Sequence, residues 1–174
     1  MLTPGPHRSG QRGISLIEVM VALIIFSVGL LALAGLQSSS LIENQVSYLR
    51  SQAVMLAGDM ADRMRANPQA VENGDYNNAT AVAGGSPVGA CFTAAGCTPA
   101  NMADHDRAVW GDALDTVLPR GQGVVCVDST PQDGTAAAPA CDGGTVGGMS
   151  MQVIKVFWER NGEQRFTTQV RLNR

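Results

Sequence analysis

The chain has 174 residues, 45% of them hydrophobic, and a formal net charge of -3. That length has room for one domain plus an anchor, and the acidic balance supplies none of the basic surface field on which nucleic-acid binders rely, so no nucleic acid is expected as a partner. The aliphatic residues crowd into the first third, whereas the middle is rich in Gly, Ala, Asn, Thr and Pro.

In chain order, residues 1–13 are a hydrophilic leader carrying His7, Arg8 and Arg12 and no acid, ending in Gly13. Residues 14–36, ISLIEVMVALIIFSVGLLALAGL, are long enough to cross a hydrocarbon core of ~30 Å at about 1.5 Å per residue. The run exceeds the apolar core of a secretory signal peptide, and it continues into a helical pattern where a cleavage site would otherwise stand. Glu18 is its only charge. A charge at the centre of a spanning helix costs roughly 2.5–3.5 kcal/mol on insertion scales, and less near an end, so insertion is tolerated and the carboxylate calls for either the interface or a partner. The basic leader predicts a cytoplasmic N-terminus, with everything after residue 36 on the other side of the membrane. Gly29 and Gly35 fall inside this stretch, as close-packing positions or as points where the helix loosens on leaving the bilayer.

The apolar pattern then narrows. Ile42, Val46, Leu49, Ala53, Leu56, Met60 and Met64 recur at helical steps, with Ser39, Glu43, Arg50, Asp59 and Arg63 on the opposite face, so residues 37–67 read as an amphipathic helix ended by Asn67-Pro68. Residues 69–100 read as irregular structure. Met102, Val109, Trp110, Leu114, Val117 and Leu118 predict a short amphipathic helix, interrupted at Gly111 and closed by Pro119. Asp104, His105, Asp106 and Asp112 lie on it, but successive helical residues diverge, and a solvated polar face is expected.

Residues 123–128, GVVCVD, read as a strand. MSMQVIKVFWE and RFTTQVRL read as two more joined through Asn161-Gly162, a hairpin signal. On one strand Ile154, Val156 and Trp158 face opposite to Val153, Lys155 and Phe157; on the next, Phe166, Thr168, Val170 and Leu172 alternate with polar residues. The expectation is an α+β fold, a long N-terminal helix packed on a C-terminal antiparallel sheet, with the globular domain over residues 68–174. The segment 130–148 reads as a loop-like insertion and a variable contact surface.

Cys91, Cys97, Cys126 and Cys141 all follow the apolar run, as suits an oxidising compartment. Four cysteines allow three pairings; Cys91 with Cys97 and Cys126 with Cys141 is favoured because each closes a short loop. Zinc is the competing reading, but no C-x-x-C occurs and His105 is the only histidine in that part of the chain. No Gly-rich phosphate loop, G-x-S-x-G or H-E-x-x-H is present, so the chain is expected to be no enzyme and to need neither cofactor nor metal.

A basic leader ending in Gly13, then Ile14-Ser15-Leu16-Ile17-Glu18 and a long apolar run, resembles the class III signal of type IV pilins and pseudopilins. The resemblance implies a cut between Gly13 and Ile14 by a prepilin peptidase, N-methylation of Ile14, and an assembly role for Glu18, whose carboxylate meets the new amine of a neighbouring subunit. Ile14 stands where phenylalanine is most common, and the leader is on the long side. The segments ADRMRANP, MADHDRAVWGDAL, LPRGQGVVCVD and VIKVFWERNG, with the cysteines between them, resemble PilV-type minor pilins, the type IV pilus modification proteins. That resemblance implies a single-pass inner-membrane subunit with a periplasmic domain. It would act with other minor pilins and the major pilin in a priming complex at or near the pilus tip, supporting twitching motility and adhesion, with a tip adhesin as a further partner. A minor pseudopilin of type II secretion is the runner-up, and a competence pilin for DNA uptake a third reading.

Overall fold

The computed structural model describes residues 13, 15–77, 82, 85–146 and 149–170. The fold is α+β: a long N-terminal helix whose later half packs on a C-terminal antiparallel sheet. The chain divides into two compact units, Met1–Gln45 and Val46–Arg174.

Helix α1 runs over Leu16–Ala66 without a break, through Gly29 and Gly35, where no neighbouring atom lies within 4 Å of a Cβ position. In the first unit every described residue is exposed. This is the one helix among the described residues that is long and apolar enough to cross a membrane. In the second unit Ala53, Ala57, Met60, Ala61 and Met64 are buried, with Leu49 and Leu56 packed at the margin. The expected apolar stripe is therefore core only from Leu49 onward; Ile42 and Val46 are 54% and 44% exposed. Three of the buried helix residues are alanines, which bring the backbone close to the elements beneath.

Pro68 disfavours the helical region for Asn67, whose φ/ψ is -127°/62°. The same proline then opens α2, Pro68–Asn73, at a position where its missing N–H costs nothing. This helix was not expected in a stretch read as irregular; burial of Ala70 and Val71 holds it in place. It stops at Gly74, whose φ of 80° lets its N–H turn back to the carbonyls of Ala70 and Val71. A 3-10 turn, Gly89–Phe92, precedes α3, Pro99–Val117, which is capped by the Thr98 hydroxyl accepting from Asn101 N at 3.2 Å. Helix α3 is not interrupted at Gly111. The cost of roughly 1 kcal/mol for a helical glycine is offset by Trp110 and Leu114, both fully buried beside it.

Strands β1 (Gln122–Val127), β4 (Gln152–Glu159) and β5 (Glu163–Val170) form the antiparallel sheet in the order β1-β4-β5; β2 (Thr145–Val146) and β3 (Met149–Ser150) pair separately. The β4–β5 connection is the three residues 160–162, with Asn161 and Gly162 at φ 50° and 111°, the positive values such a hairpin requires. Leu172 lies outside the described residues.

Val125, Ile154, Val156, Trp158 and Val170 face α1 and α3 and complete the main core. Trp110 joins the layers: its indole N–H donates to the Leu56 carbonyl at 2.9 Å. Gly123 makes room for that ring, since a Cβ there would stand 2.2 Å from an indole carbon.

The solvated polar face expected for α3 needs correcting at Asp106, which is 6% exposed. Its carboxylate accepts from Tyr76 Oη at 2.6 Å and from Arg63 Nη1 at 3.1 Å, and Asn67 Nδ2 adds a bond to the Pro99 carbonyl at 2.8 Å. Arg63, expected on the wet face of α1, is thus half-buried and clamps α1 to α3 through its long stem. Burial first, and the hydrogen bond to Asp106 second, push the Tyr76 hydroxyl well above the ordinary tyrosine pKa, so it stays a donor.

Gly123→Ala drives a methyl group into a fully buried indole. Unfolding in denaturant, followed by tryptophan fluorescence, is expected to show a loss of about 1–3 kcal/mol; wild-type stability would mean that α3 can shift away from β1 without cost.

Candidate assembly site

Gly13 is exposed, Ile14 lies outside the described residues, and Ser15 immediately precedes α1. The N–H groups of Glu18 and Val19 approach the Ser15 carbonyl at 3.0 and 3.3 Å. Ser15 therefore occupies the N-cap position, and Glu18 stands three residues on, the spacing of a capping box. The Glu18 carboxylate sits in the first helical turn, where the exposed N–H groups carry partial positive charge. It is exposed, and none of the ion pairs among the described residues involves it. The helix end stabilises this charge in water; in a medium of low dielectric it needs a cation as well.

The surface that follows decides what the helix is for. Leu16, Ile24, Phe26, Leu31 and Leu36 are between 63% and 78% exposed, and exposed apolar residues continue through Leu41, Ile42, Val46 and Tyr48. From residue 16 to 48 the stripe is about 50 Å long at 1.5 Å per residue, against a hydrocarbon core of about 30 Å. A bilayer covers only part of it.

The other sequence-derived candidates are placed as follows. Cys91 is bonded to Cys97 and Cys126 to Cys141, the pairing favoured from loop length. Asp104 is exposed and pairs with Arg107, and the His105 ring meets Phe92 edge-on at 5.1 Å, so neither converges with Asp106. Among the described residues no three His, Cys, Asp or Glu side chains gather as metal ligands would.

The segment 130–148, expected as a loop-like insertion and a variable contact surface, also covers the sheet in its described part. Residues 129–142 lie over the second face of the sheet, where Val124, Cys126 and Phe157 pack with Ala136 and Cys141. Gln132 Nε2 donates to Thr167 Oγ1 at 2.7 Å, Ala136 N to Glu163 Oε2 at 3.0 Å, and Arg165 to the carbonyls of Gln132 and Gly134. Lys155, fully buried, donates to the Pro139 carbonyl at 2.7 Å and contacts Asp128 and Asp133. Asp142 closes the far end, accepting from the Ser129 hydroxyl and, at 2.8 Å each, from the Ser129 and Gly144 N–H groups. Sequence reasoning missed this cover; the signal available was Lys155 itself, a lone cation inside an apolar strand.

The family described as Type IV pilin Tt1218 matches residues 35–108, and the prokaryotic N-terminal methylation motif matches residues 8–34. Over these two segments the chain is similar to type IV pilins. No curated protein and no solved structure matches it. The methylation-motif match takes in Gly13 and Glu18, and the family match takes in the later half of α1, the Cys91–Cys97 loop and the start of α3.

The hydrogen bonds from Ser129, and then that from Gly144, lower the Asp142 carboxyl from 3.8 to about 2. A depressed carboxyl contributes stability above its unfolded pKa and loses it as pH falls through the folded one. The thermal midpoint of Asp142→Asn is therefore expected below wild type at about pH 6, with the gap closing between about pH 4 and pH 2. Circular dichroism melts across that range check it, and a gap independent of pH would show that the charge is not what holds the cover.

Proposed function

We propose that the protein is a minor pilin that helps initiate type IV pilus assembly in a priming complex at the pilus tip. A prepilin peptidase removes residues 1–13, Ile14 becomes the methylated N-terminus, and the 14–36 segment holds the subunit in the inner membrane with residues 68–174 in the periplasm. The observation that carries the reading is the pairing of Glu18 at the head of α1 with an exposed apolar stripe longer than a bilayer needs. Such a helix is suited to a second apolar environment, the packed helices of other pilins.

The cut at Gly13 creates the cation that Glu18 lacks. When the helix packs among others, the Ile14 amine of one subunit and the Glu18 carboxylate of its neighbour neutralise each other where the dielectric is low, and the pair sets the axial register. The segments 61–68 and 102–114 favour the PilV-type assignment by their resemblance. A minor pseudopilin of type II secretion shares leader, helix and sheet. Deleting the gene separates the two: loss of surface pili and twitching supports the pilus, loss of secreted enzymes the secretion system.

Mass spectrometry of the N-terminus of the protein purified from membranes is expected to find methylated Ile14; an intact leader refutes processing. Glu18→Ala should reach the membrane at wild-type level yet leave few surface pili, measured by immunoblot of sheared and membrane fractions. Normal piliation in that variant would sink the amine pairing.

A further inference from the structure

Strand β4 carries a second buried polar group with no part in assembly. Lys155, within β4, and Asp128, directly after the end of β1, are both 0% exposed, and Asp128 Oδ2 lies 2.5 Å from Lys155 Nζ. Four oxygens surround this nitrogen. Three accept hydrogen bonds: the Pro139 carbonyl at 2.7 Å, the Asp133 carbonyl at 3.1 Å and Asp133 Oδ1 at 3.2 Å. The nearest does not, for Asp128 Oδ2 accepts no hydrogen bond from any described residue despite its proximity. The other oxygen, Oδ1, accepts from Thr130 N at 2.9 Å, which orients the carboxyl group with Oδ2 toward the amine.

The Lys155 nitrogen thus stands between two carboxyl groups, the fully buried Asp128 nearest and the half-exposed Asp133 next. We infer that Lys155 and Asp128 condense to an intramolecular isopeptide bond, with Asp133 as the proton carrier. The ammonium gives a proton to the Asp133 carboxylate, which passes it to Asp128. Nζ then attacks Asp128 Cγ, forming the C–N bond. Asp133 takes the second proton from the nitrogen and returns it to a hydroxyl on Cγ; that C–O bond breaks and water leaves. The sum is carboxylate plus ammonium giving amide plus water, with no external reagent.

Two physical terms favour the step. The two groups are held in contact inside the fold, with Thr130 N fixing the carboxyl, which replaces an encounter in solution. The product also exchanges two buried charges, costly to desolvate, for one neutral amide. Asp133, half-exposed on its side chain, gives the departing water and protons a route outward. The cross-link would lock the end of β1 to the centre of β4 beneath the cover.

The full chain, purified from membranes, reduced and denatured, is expected to weigh one water less than its mature sequence. A protease digest should yield a branched peptide joining Asp128 to Lys155. Recovery of the two unlinked peptides as the only species overturns the proposal, and this needs no variant to fold. Asp133-Gly134 and Asp142-Gly143 can also lose water as cyclic imides, so Lys155→Met is the control: it should regain the full mass, and a water loss that persists in it counts against the bond. Asp133→Asn should leave a larger unlinked fraction than wild type.

Discussion

Strand β4 is buried on both faces, and most of the globular part follows from that. Seven of its eight residues, from Gln152 to Trp158, are buried. A three-stranded sheet exposes two broad faces, and apolar residues on each must be covered. One face takes the later half of α1 and α3, elements whose stripes bring alanines, methionines and Trp110 against Ile154 and Val156. Among the described residues no helix packs on the other. Residues 129–142 serve instead, a segment with little apolar surface of its own, so it is held by sheet side chains reaching its carbonyls and by the Cys126–Cys141 bond. The polar groups on that side are therefore part of the fold's cohesion.

Much of this was legible because the relevant signals are local. The apolar run and the three- and four-residue steps that follow it describe α1; Asn161-Gly162 between β-rich runs describes the hairpin; short loops describe both disulfides. Each needs only neighbouring residues. Asp106 is the instructive miss. It shares a helical stripe with Ala103, Trp110 and Leu114, all fully buried, so its position argued for burial while its charge argued against. Charge was given more weight than position, and the partners that resolve the conflict, Arg63 and Tyr76, stand 43 and 30 residues away. The cover was hidden for the same reason. Its contacts join residues 132–139 to residues 155–167, and a Gly- and Ala-rich segment shows no period by which to place it. The site itself was legible as a motif, Gly13 to Glu18, while the geometry around Ser15 required coordinates.

The two halves of α1 show how one helix meets different surroundings by side-chain choice alone. Backbone hydrogen bonds run unbroken from Leu16 to Ala66 and are satisfied in any medium. What changes is the surface. From Leu16 to Leu36 the large side chains Leu, Ile, Val and Phe are offered outward on all sides, and from Gln37 to Tyr48 apolar and polar residues share the exposed surface; after Leu49, Ala53, Ala57 and Ala61 let the sheet and α3 come near, and charged residues occupy what remains. A helix apolar on all sides is stable in lipid or among other apolar helices, but water makes it a liability. The stretch from Leu41 to Tyr48 is where neither solution is supplied by the chain itself. It extends past the length a bilayer covers, and it precedes the point where the chain's own core begins.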